Sequence, residues 1–380
     1  MADHGPASLA ADVDWRGLPR LERAAQATRT GLGLSLKDEF KVLIEAGGPM
    51  PMSAYMNACL HHPRYGYYAT RPGIGRDFIT APEISQVFGE LLGLWALHEW
   101  RQAGSPNPAR LVEVGGGRGT MMADMMRAIR ASGGGDAFTL AMNEASPVHA
   151  AMQGDALSDF HPDFLGAFGS LGDAPFMLVA NEWLDCLPAR QFISAGKSWH
   201  EKVVGLNEAG ELAFGLASDT APPSDLSEAS DSQRFEIQPA LETLVDMLHG
   251  AMTSVPGRAL FIDYGSLHAP ADTLRAFRNG KQVDPLAMPG ESDLTVDVDF
   301  GRLARLAEKA GLSVAGPVEQ GPFLLSLGAE ARMQALISAN PDQAETIHDG
   351  IRRLVDPTEL GSRFKVICIS SPDLPPPAGF

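Results

Sequence analysis

Short, almost uninterrupted apolar runs alternate with amphipathic stretches from residue 110 onward. The apolar runs predict strands, and the first four lie at 110–114, 137–143, 176–180 and 258–263. Helical spacing of apolar residues predicts helices between the first of these strands, at 120–131 and 147–157. Parallel strands that are covered on both faces have such continuous apolar runs. The order therefore predicts βαβ units and a doubly wound, mostly parallel sheet.

Helical spacing dominates the chain before this sheet. It predicts helices at 36–47 and 53–61, the second capped by Ser53, and a long amphipathic helix at 83–101. An aromatic turn at 62–68 cannot continue a helix and separates them. These elements form a block that precedes the first core strand.

The pattern changes again after the third strand of the sheet. Apolar runs at 191–194 and 199–204 predict a hairpin inserted into the sheet domain. The acidic, proline-containing stretch at 217–233 predicts a flexible surface loop. Further along, a helix is expected at 300–311, and closing strands at 323–327 and 364–370.

Composition narrows the classes of function. The net charge of −17 argues against nucleic-acid binding, because such binding depends on Lys and Arg that neutralise phosphates. The most apolar window, 87–100, is too short to span a bilayer, so membrane insertion is not expected. The three cysteines are scattered and show neither a disulfide framework nor a zinc spacing, and no metal site is expected.

The first residues bear on the location of the protein. Four arginines among them would suit an organelle transit peptide, but three acids are interspersed: Asp12, Asp14 and Glu22. No apolar block of a secretory signal peptide is present in this stretch. The expectation is a cytoplasmic protein with a flexible segment at 1–34.

A glycine-rich loop joins the first strand of the sheet to the helix that follows. The frame acid-x-G-x-G-x-G is filled at every place, by Glu113, Gly115, Gly117 and Gly119. This frame resembles the first motif of class I S-adenosylmethionine (SAM) methyltransferases. A dinucleotide fingerprint read from Gly115 would need Gly or Ala where Thr120 stands. The alternative is a turn that uses glycine for steric reasons only.

Two further strand ends carry acids. After the second strand, Glu144 has the chemistry to accept hydrogen bonds from both hydroxyls of a ribose, or is simply a solvent-facing residue before a helix. After the third strand come Glu182 and Asp185. Buried carboxylates are costly unless they are paired or hydrogen-bonded, and a guanidinium ligand would satisfy them. A helix N-terminus, where the dipole favours acids, is the equal alternative.

Six segments together resemble the MidA family of SAM-dependent methyltransferases, which includes a mitochondrial complex I assembly factor that methylates an arginine. They run in order along the chain at 63–68, 77–86, 113–120, 181–188, 263–265 and 293–300. The resemblance implies an α/β class I methyltransferase fold, Rossmann-like and doubly wound, with an N-terminal cap and an inserted β-hairpin. The predicted divisions are a flexible N-terminus at 1–34, a helical and aromatic cap at 35–105, and a SAM-binding domain at 106–380. This domain would carry an insertion at about 190–255.

The resemblance also implies roles for single residues. SAM would bind to the acid and the glycines of the loop, and its ribose would bind to Glu144. The segment 78–86 would lie over the bound cofactor. The predicted cofactor-binding residues are therefore Glu113, Gly115, Gly117, Gly119, Glu144, Thr80, Glu83 and Asn181. Glu182 and, second, Asp185 would lie near the acceptor as catalytic carboxylates; the weaker candidates are Glu83, Glu201 and Asp263.

Three positions depart from the family pattern. Gly116 stands where the family usually has proline, which loosens the turn but keeps the needed glycines. Ser266 and Gly280 stand where many members have histidines. If those histidines handle the substrate in the family, this protein would have a different methyl acceptor.

The expected reaction is methyl transfer to a protein arginine, and the resemblance implies a core subunit of respiratory complex I as the protein substrate. The nitrogen lone pairs of a guanidinium group are delocalised, and the pKa of the group exceeds about 12. Carboxylates are therefore needed to orient the group. A neutral oxygen acceptor would instead need a general base or a metal. The rival hypotheses are a small-molecule methyltransferase and a non-catalytic assembly chaperone that binds SAM. A homodimer is a further expectation.

Overall fold

The structure, a computed structural model, describes residues 35–71, 80–165, 171, 173–196, 198–217, 233–268 and 271–380. The predicted flexible segment at 1–34 and almost all of the predicted loop at 217–233 lie outside the described residues. Of the predicted cofactor-covering segment, residues 78 and 79 also lie outside them.

The α-helices of the described residues are, in chain order, α1 (Leu36–Gly47), α2 (Met52–His61), α3 (Tyr67–Thr70), α4 (Ala81–Ile84), α5 (Gln86–Gln102), α6 (Thr120–Ala131), α7 (Pro147–Ala156), α8 (Ala240–Ser254), α9 (Phe300–Lys309), α10 (Gln320–Ser326), α11 (Ala329–Ala339), α12 (Ala344–Val355) and α13 (Leu360–Arg363). None of them is long and apolar enough to cross a membrane.

The strands of the described residues are β1 (Met50–Pro51), β2 (Arg110–Val114), β3 (Thr139–Asn143), β4 (Asp163–Phe164), β5 (Phe176–Asn181), β6 (Arg190–Ala195), β7 (Ser198–Leu206), β8 (Leu212–Ala217), β9 (Arg234–Ile237), β10 (Gly257–Ser266), β11 (Arg275–Arg278), β12 (Lys281–Val283), β13 (Asp293–Thr295), β14 (Val298–Asp299), β15 (Ser313–Glu319) and β16 (Phe364–Ser370).

The central sheet has the order β4-β3-β2-β5-β10-β16-β15, and β14 pairs with the end of β10. The first five strands of this order are parallel, while β16 runs antiparallel between β10 and β15. The strand order reverses between β2 and β5, and ligands bind at such switch points in doubly wound sheets. The predicted α/β fold is confirmed.

Helices cover both faces of this sheet. On one face α5 and α6 pack so closely that a Cβ atom added to Gly93 would lie only 2.5 Å from the carbonyl oxygen of Met125. On the other face α8 and α9 contribute buried side chains such as Leu244 and Phe300. Burial of both faces explains why the strand sequences are continuously apolar.

The first helices pack on a second, antiparallel sheet. Its order is β1-β7-β6-β9, with β8 also on β7, so the predicted hairpin at 191–194 and 199–204 is confirmed and extended by three strands. A buried cluster joins Phe40 of α1 and Tyr55 of α2 to Val204 of β7. A third sheet has the order β12-β11-β13. The division of the chain into domains at residue 105 stays a prediction.

One predicted helix cap is wrong, and one predicted helix is divided in two. Pro51 occupies the N-cap position of α2 and no side chain caps this helix, so Ser53 is not the cap. The helix predicted at 83–101 is two helices, because Ser85 adopts an extended backbone between α4 and α5. The Ser85 hydroxyl oxygen then accepts a hydrogen bond from Val87 N and caps α5.

The strand predicted at 323–327 is also wrong, since these residues lie in α10 and the turn that follows it. A short apolar run does not by itself distinguish a strand from a buried helix. The strand beside β16 is β15, which carries Gly316 and Pro317. Its pairing shifts register between Ala315 and Val318, and an edge strand tolerates glycine and proline at such an irregularity.

Candidate active site

A cleft with about 1060 Å³ of open space lies at the carboxyl ends of β2, β3 and β5. The register aligns these ends, because Val114 pairs with both Asn143 and Ala180. The cleft is lined by His61, Tyr68, Thr80, Pro82, Glu83, Glu113, Gly115, Gly116, Gly117, Arg118, Thr120, Met121, Asn143, Glu144, Ala145, His149, Asn181, Glu182, Trp183, Cys186 and Leu187.

The glycine-rich loop forms the floor of the cleft. Gly115, Gly117 and Gly119 have φ angles of 69°, 53° and 82°, in the left-handed region that favours glycine. At Gly115 a Cβ atom would also lie 2.8 Å from Cδ1 of Trp183. Gly119 takes the N-cap position of α6 and is not among the lining residues. The loop thus brings bare backbone to the N-terminus of α6.

Two carboxylates, Glu113 and Glu144, flank this loop. Burial, together with the nearby charge of Glu144, raises the pKa of Glu113 to about 8. Burial also raises the pKa of Glu144, whose Oε1 accepts from Ser146 N (2.8 Å) and whose Oε2 accepts from Gln153 Nε2 (2.9 Å). The glycine loop and the two acids of the predicted cofactor site therefore lie together.

Several polar atoms that are buried in the lining of the cleft lack a partner within the described residues. They are Glu113 Oε2, Asn181 Oδ1 and His149 Nε2. A buried polar group without a hydrogen bond costs about 1–3 kcal/mol, so a ligand that pairs with such atoms gains affinity. SAM carries ribose hydroxyls, an ammonium group and an adenine, which supply complementary donors and acceptors. The residues present fit this cofactor.

Glu182 follows β5 directly and has an unusual backbone. Its φ angle is 52°, a conformation that costs a non-glycine residue about 1–3 kcal/mol and is enriched at functional sites. Its Oε1 accepts hydrogen bonds from Ala81 N (3.0 Å) and Asn181 Nδ2 (2.9 Å). Within the described residues Oε2 accepts none. Burial raises the pKa of Glu182 to about 7.

Asp185 lies beside the cleft but is not among its lining residues. Its Oδ2 accepts hydrogen bonds from Tyr264 Oη and from Thr295 Oγ1, the second over 2.7 Å. The weaker candidate Asp263 is also turned away, since its Oδ2 accepts from the backbone N–H groups of Leu184 and Asp185 (2.8 and 3.1 Å). These contacts fix the turn that follows Glu182.

The short helix α4 contributes the predicted residue Glu83 to the lining, and Thr80 at its N-cap position is a second predicted lining residue. Glu83 Oε1 accepts a hydrogen bond from Thr120 Oγ1 over 2.8 Å. Thr120, the residue that breaks the dinucleotide frame, therefore links the glycine loop to α4. The other weak candidate, Glu201, pairs with Arg190 and does not line the cleft.

Sequence reasoning missed several lining residues, namely His61, Tyr68, His149, Trp183, Cys186 and Leu187. His61 ends the helix predicted at 53–61 and Tyr68 ends the predicted aromatic turn at 62–68, about 120 positions before Glu182. Nothing in their spacing relates them to the strand ends. The one available signal, for Tyr68 alone, was the density of aromatic residues in the segment 63–68 shared with a known family.

The match to known families follows this geometry. The sequence model of a family described as “Putative S-adenosyl-L-methionine-dependent methyltransferase” matches residues 91–318. The chain belongs to this family. SAM is accordingly its cofactor, and the predicted methyltransferase of the MidA type is confirmed.

Relatives match along almost the whole methyltransferase. A Drosophila melanogaster protein named protein arginine methyltransferase NDUFAF7 homolog, mitochondrial, is 36% identical and covers 93% of this chain and 90% of its own length. The human protein arginine methyltransferase NDUFAF7, mitochondrial, is 31% identical and covers 86% and 81%. A Burkholderia thailandensis crystal structure bound to S-adenosylhomocysteine has the same fold, with a TM-score of 0.73, 24% identity and 94% coverage of each chain.

These names correct the expected location. The prediction of a cytoplasmic protein is wrong, because the relatives are named as mitochondrial proteins. That prediction depended on the three acids that lie among the arginines of the segment 1–34. The balance of acids and arginines in this segment did not indicate the location correctly.

Proposed function

We propose that this methyltransferase transfers a methyl group from SAM to the guanidinium group of an arginine in a protein substrate. One observation carries the proposal: the Glu182 carboxylate, held on a left-handed backbone at the switch point of the sheet, keeps Oε2 unpaired within the described residues. The relatives whose names include protein arginine methyltransferase support the same acceptor.

Glu182 would orient the acceptor. Ala81 and Asn181 fix its Oε1, so that Oε2 remains for an N–H group of the substrate. A carboxylate on one edge of a guanidinium group holds positive charge on the nitrogens that do not react. The reacting nitrogen is then free to face the methyl donor in line.

Glu182 also has the chemistry of a proton acceptor. Bound SAM supplies a methyl group that the sulfonium already activates, so an N–C bond forms as the S–C bond breaks. The reacting nitrogen then has to release one proton. A carboxyl group with a pKa of about 7 suits this task, because a general base works best when its pKa lies near the working pH.

The predicted cofactor contacts belong to the same proposal. Glu144 would bind the ribose hydroxyls, while Glu113 and the amide of Asn181 would bind the amino-acid end of SAM. The unpartnered oxygens Glu113 Oε2 and Asn181 Oδ1 support this assignment. Asp185 would act by holding Tyr264 and Thr295 through its Oδ2 and not by touching the substrate, because it does not line the cleft.

For the protein substrate we propose a core subunit of respiratory complex I, on the strength of the family resemblance. The proposal is tested by incubating the protein with methyl-labelled SAM and an extract of cells that lack it, and by mapping labelled peptides by mass spectrometry. Label on arginine of a complex I core subunit supports the whole proposal. Label on arginine of another protein changes the substrate only, and label on small molecules alone overturns it. Homodimer formation stays a prediction.

A further inference from the structure

Two aromatic rings close the cleft on the side of the first helices. His61 is the last residue of α2 and Tyr68 lies in α3, and both line the cleft. Their ring centroids are 5.6 Å apart and the ring planes are inclined by 34°. The proposed mechanism uses neither side chain.

Tyr68 is held firmly in this position. Its hydroxyl group donates a hydrogen bond to Asp293 Oδ1 over 3.0 Å. Burial, together with the charge of Asp293, raises the pKa of Tyr68 well above its usual value, so the phenol stays protonated and keeps this bond. Asp293 engages the hydroxyl group, so a ligand in the cleft would contact the part of the Tyr68 ring that His61 and Tyr67 leave uncovered. A phenol face attracts a guanidinium group that stacks on it.

His61 offers an unused acceptor next to this ring. Neither of its ring nitrogens forms a hydrogen bond or an ion pair with the described residues. Burial lowers the pKa of His61 to about 4, so the imidazole is neutral at physiological pH. A neutral imidazole has one nitrogen that accepts a hydrogen bond, and it does not repel a cation.

The same end of the cleft is acidic. Cys186 lines the cleft, and the carboxylates of Asp185 and Asp293 lie close enough to the Tyr68 hydroxyl to raise its pKa; Glu182 lines the same cleft. A cation that enters here therefore meets an aromatic face, a neutral acceptor and a carboxylate. The planar guanidinium group of arginine matches all three.

We propose that His61 and Tyr68 bind the guanidinium group of the substrate arginine together with Glu182, Tyr68 through its ring face and His61 through an accepted N–H hydrogen bond. This inference rests on the proposed arginine acceptor. It makes the two residues part of the acceptor site and leaves SAM binding to the glycine loop and its acids.

The chain offers a matched control next to this pair. His62 and Tyr65 form a second stacked pair, with ring centroids 5.1 Å apart and planes inclined by 23°. Neither of them is among the residues that line the cleft. Substitutions in this outer pair alter the same types of side chain in the same segment without touching the cleft.

The test compares the variants His61→Ala and Tyr68→Phe with His62→Ala and Tyr65→Phe. It measures kcat and KM for an arginine-containing protein substrate, and the Kd of SAM by titration, which also reports whether each variant is folded. His61→Ala should lower kcat/KM for the protein substrate by about tenfold, mainly through KM, which is the size of one hydrogen bond to a charged group. Tyr68→Phe keeps the stacking face and should lose less than His61→Ala.

The outer-pair variants should stay within about twofold of the wild type, and all four should bind SAM as the wild type does. The inference is overturned if His61→Ala and His62→Ala have the same kcat/KM, or if His61→Ala loses SAM affinity in parallel with activity. If the wild-type protein methylates no arginine at all, the proposed function fails and this inference fails with it. The wild-type control therefore separates the two failures.

Discussion

The backbone N–H of Ala81 donates a hydrogen bond to Oε1 of Glu182 over 3.0 Å. This bond joins the first residue of α4 to the residue that follows β5. A helix outside the central sheet is thereby hydrogen-bonded to the carboxylate that is proposed to bind the substrate arginine. The Glu83–Thr120 hydrogen bond joins the same helix to the glycine loop. The acceptor end and the cofactor end of the cleft are thus connected through the short helix α4.

Glu182→Gln should remove most of the methyl transfer. The amide keeps the shape of the side chain but loses the charge that orients a guanidinium group, so kcat/KM should fall by about 10²–10³-fold. The Kd of SAM should change by no more than about twofold, because Glu182 faces the acceptor. Steady-state kinetics and a SAM titration measure both quantities, with exposed Glu45→Gln as the control. Retention of wild-type kcat/KM by Glu182→Gln would remove this residue from the mechanism.

The activity should depend on pH through Glu182. Its pKa of about 7 means that the carboxyl is protonated at lower pH and charged at higher pH, and only the charged form orients the cation. The value of kcat/KM, which reports the free enzyme, should therefore rise with pH up to about 7 and then level off. A profile of kcat/KM against pH measures this. A wild-type profile that is flat between pH 6 and 8, about one unit either side of that pKa, would speak against the assignment.

Glu113 should make stability fall as pH rises. Its pKa is about 8 in the folded protein, whereas a glutamate in an unfolded chain has an ordinary pKa of 4.5. Between these values the unfolded chain releases the proton while the folded protein keeps it, so deprotonation favours unfolding. Below this window both states are protonated, and above it both are charged. Glu113→Gln should therefore reduce the loss of unfolding free energy between about pH 5 and 8, as measured by urea denaturation. An equal loss in the variant would contradict the burial argument.

Gly116 should not accept a side chain without a cost to SAM binding. A Cβ atom there would lie 2.7 Å from Cε of Met142 and 2.9 Å from Cδ of Glu113. Gly116→Ala should displace one of them and raise the Kd of SAM by roughly tenfold, in the range of an overpacking cost of about 1–3 kcal/mol. Gly154→Ala in α7 is the control, because its Cβ would meet nothing within 4 Å. Unchanged affinity in Gly116→Ala would contradict the prediction and would mean that only the flexible end of Met142 is displaced or that Glu113 does not contact the cofactor.

The central sheet and the cofactor loop could be predicted well from the sequence. The continuous apolar strands and the glycines at 115, 117 and 119 are local signals, and the positive φ angles of those glycines explain their spacing. The register of β2, β3 and β5 then brings three separate strand ends together.

What the sequence could not predict is decided by contacts between distant segments. The left-handed backbone of Glu182 depends on its surroundings, since glutamate has no intrinsic preference for it. Asp185 looked equivalent to Glu182 in sequence, but it does not line the cleft, and its Oδ2 accepts hydrogen bonds from Tyr264 and Thr295. His61 reaches the cleft only because α2 packs on the antiparallel sheet, a sheet of which the sequence predicted one hairpin.

The most direct test of the account is the position of the transferred methyl group. The purified protein is incubated with methyl-labelled SAM and a purified core subunit of complex I, and the labelled peptides are fragmented in a mass spectrometer. The account predicts label on the guanidinium nitrogens of an arginine, and its loss when Glu182→Gln replaces the wild type. An unlabelled subunit would change only the identity of the substrate, whereas label on lysine or on a carboxylate would contradict the account.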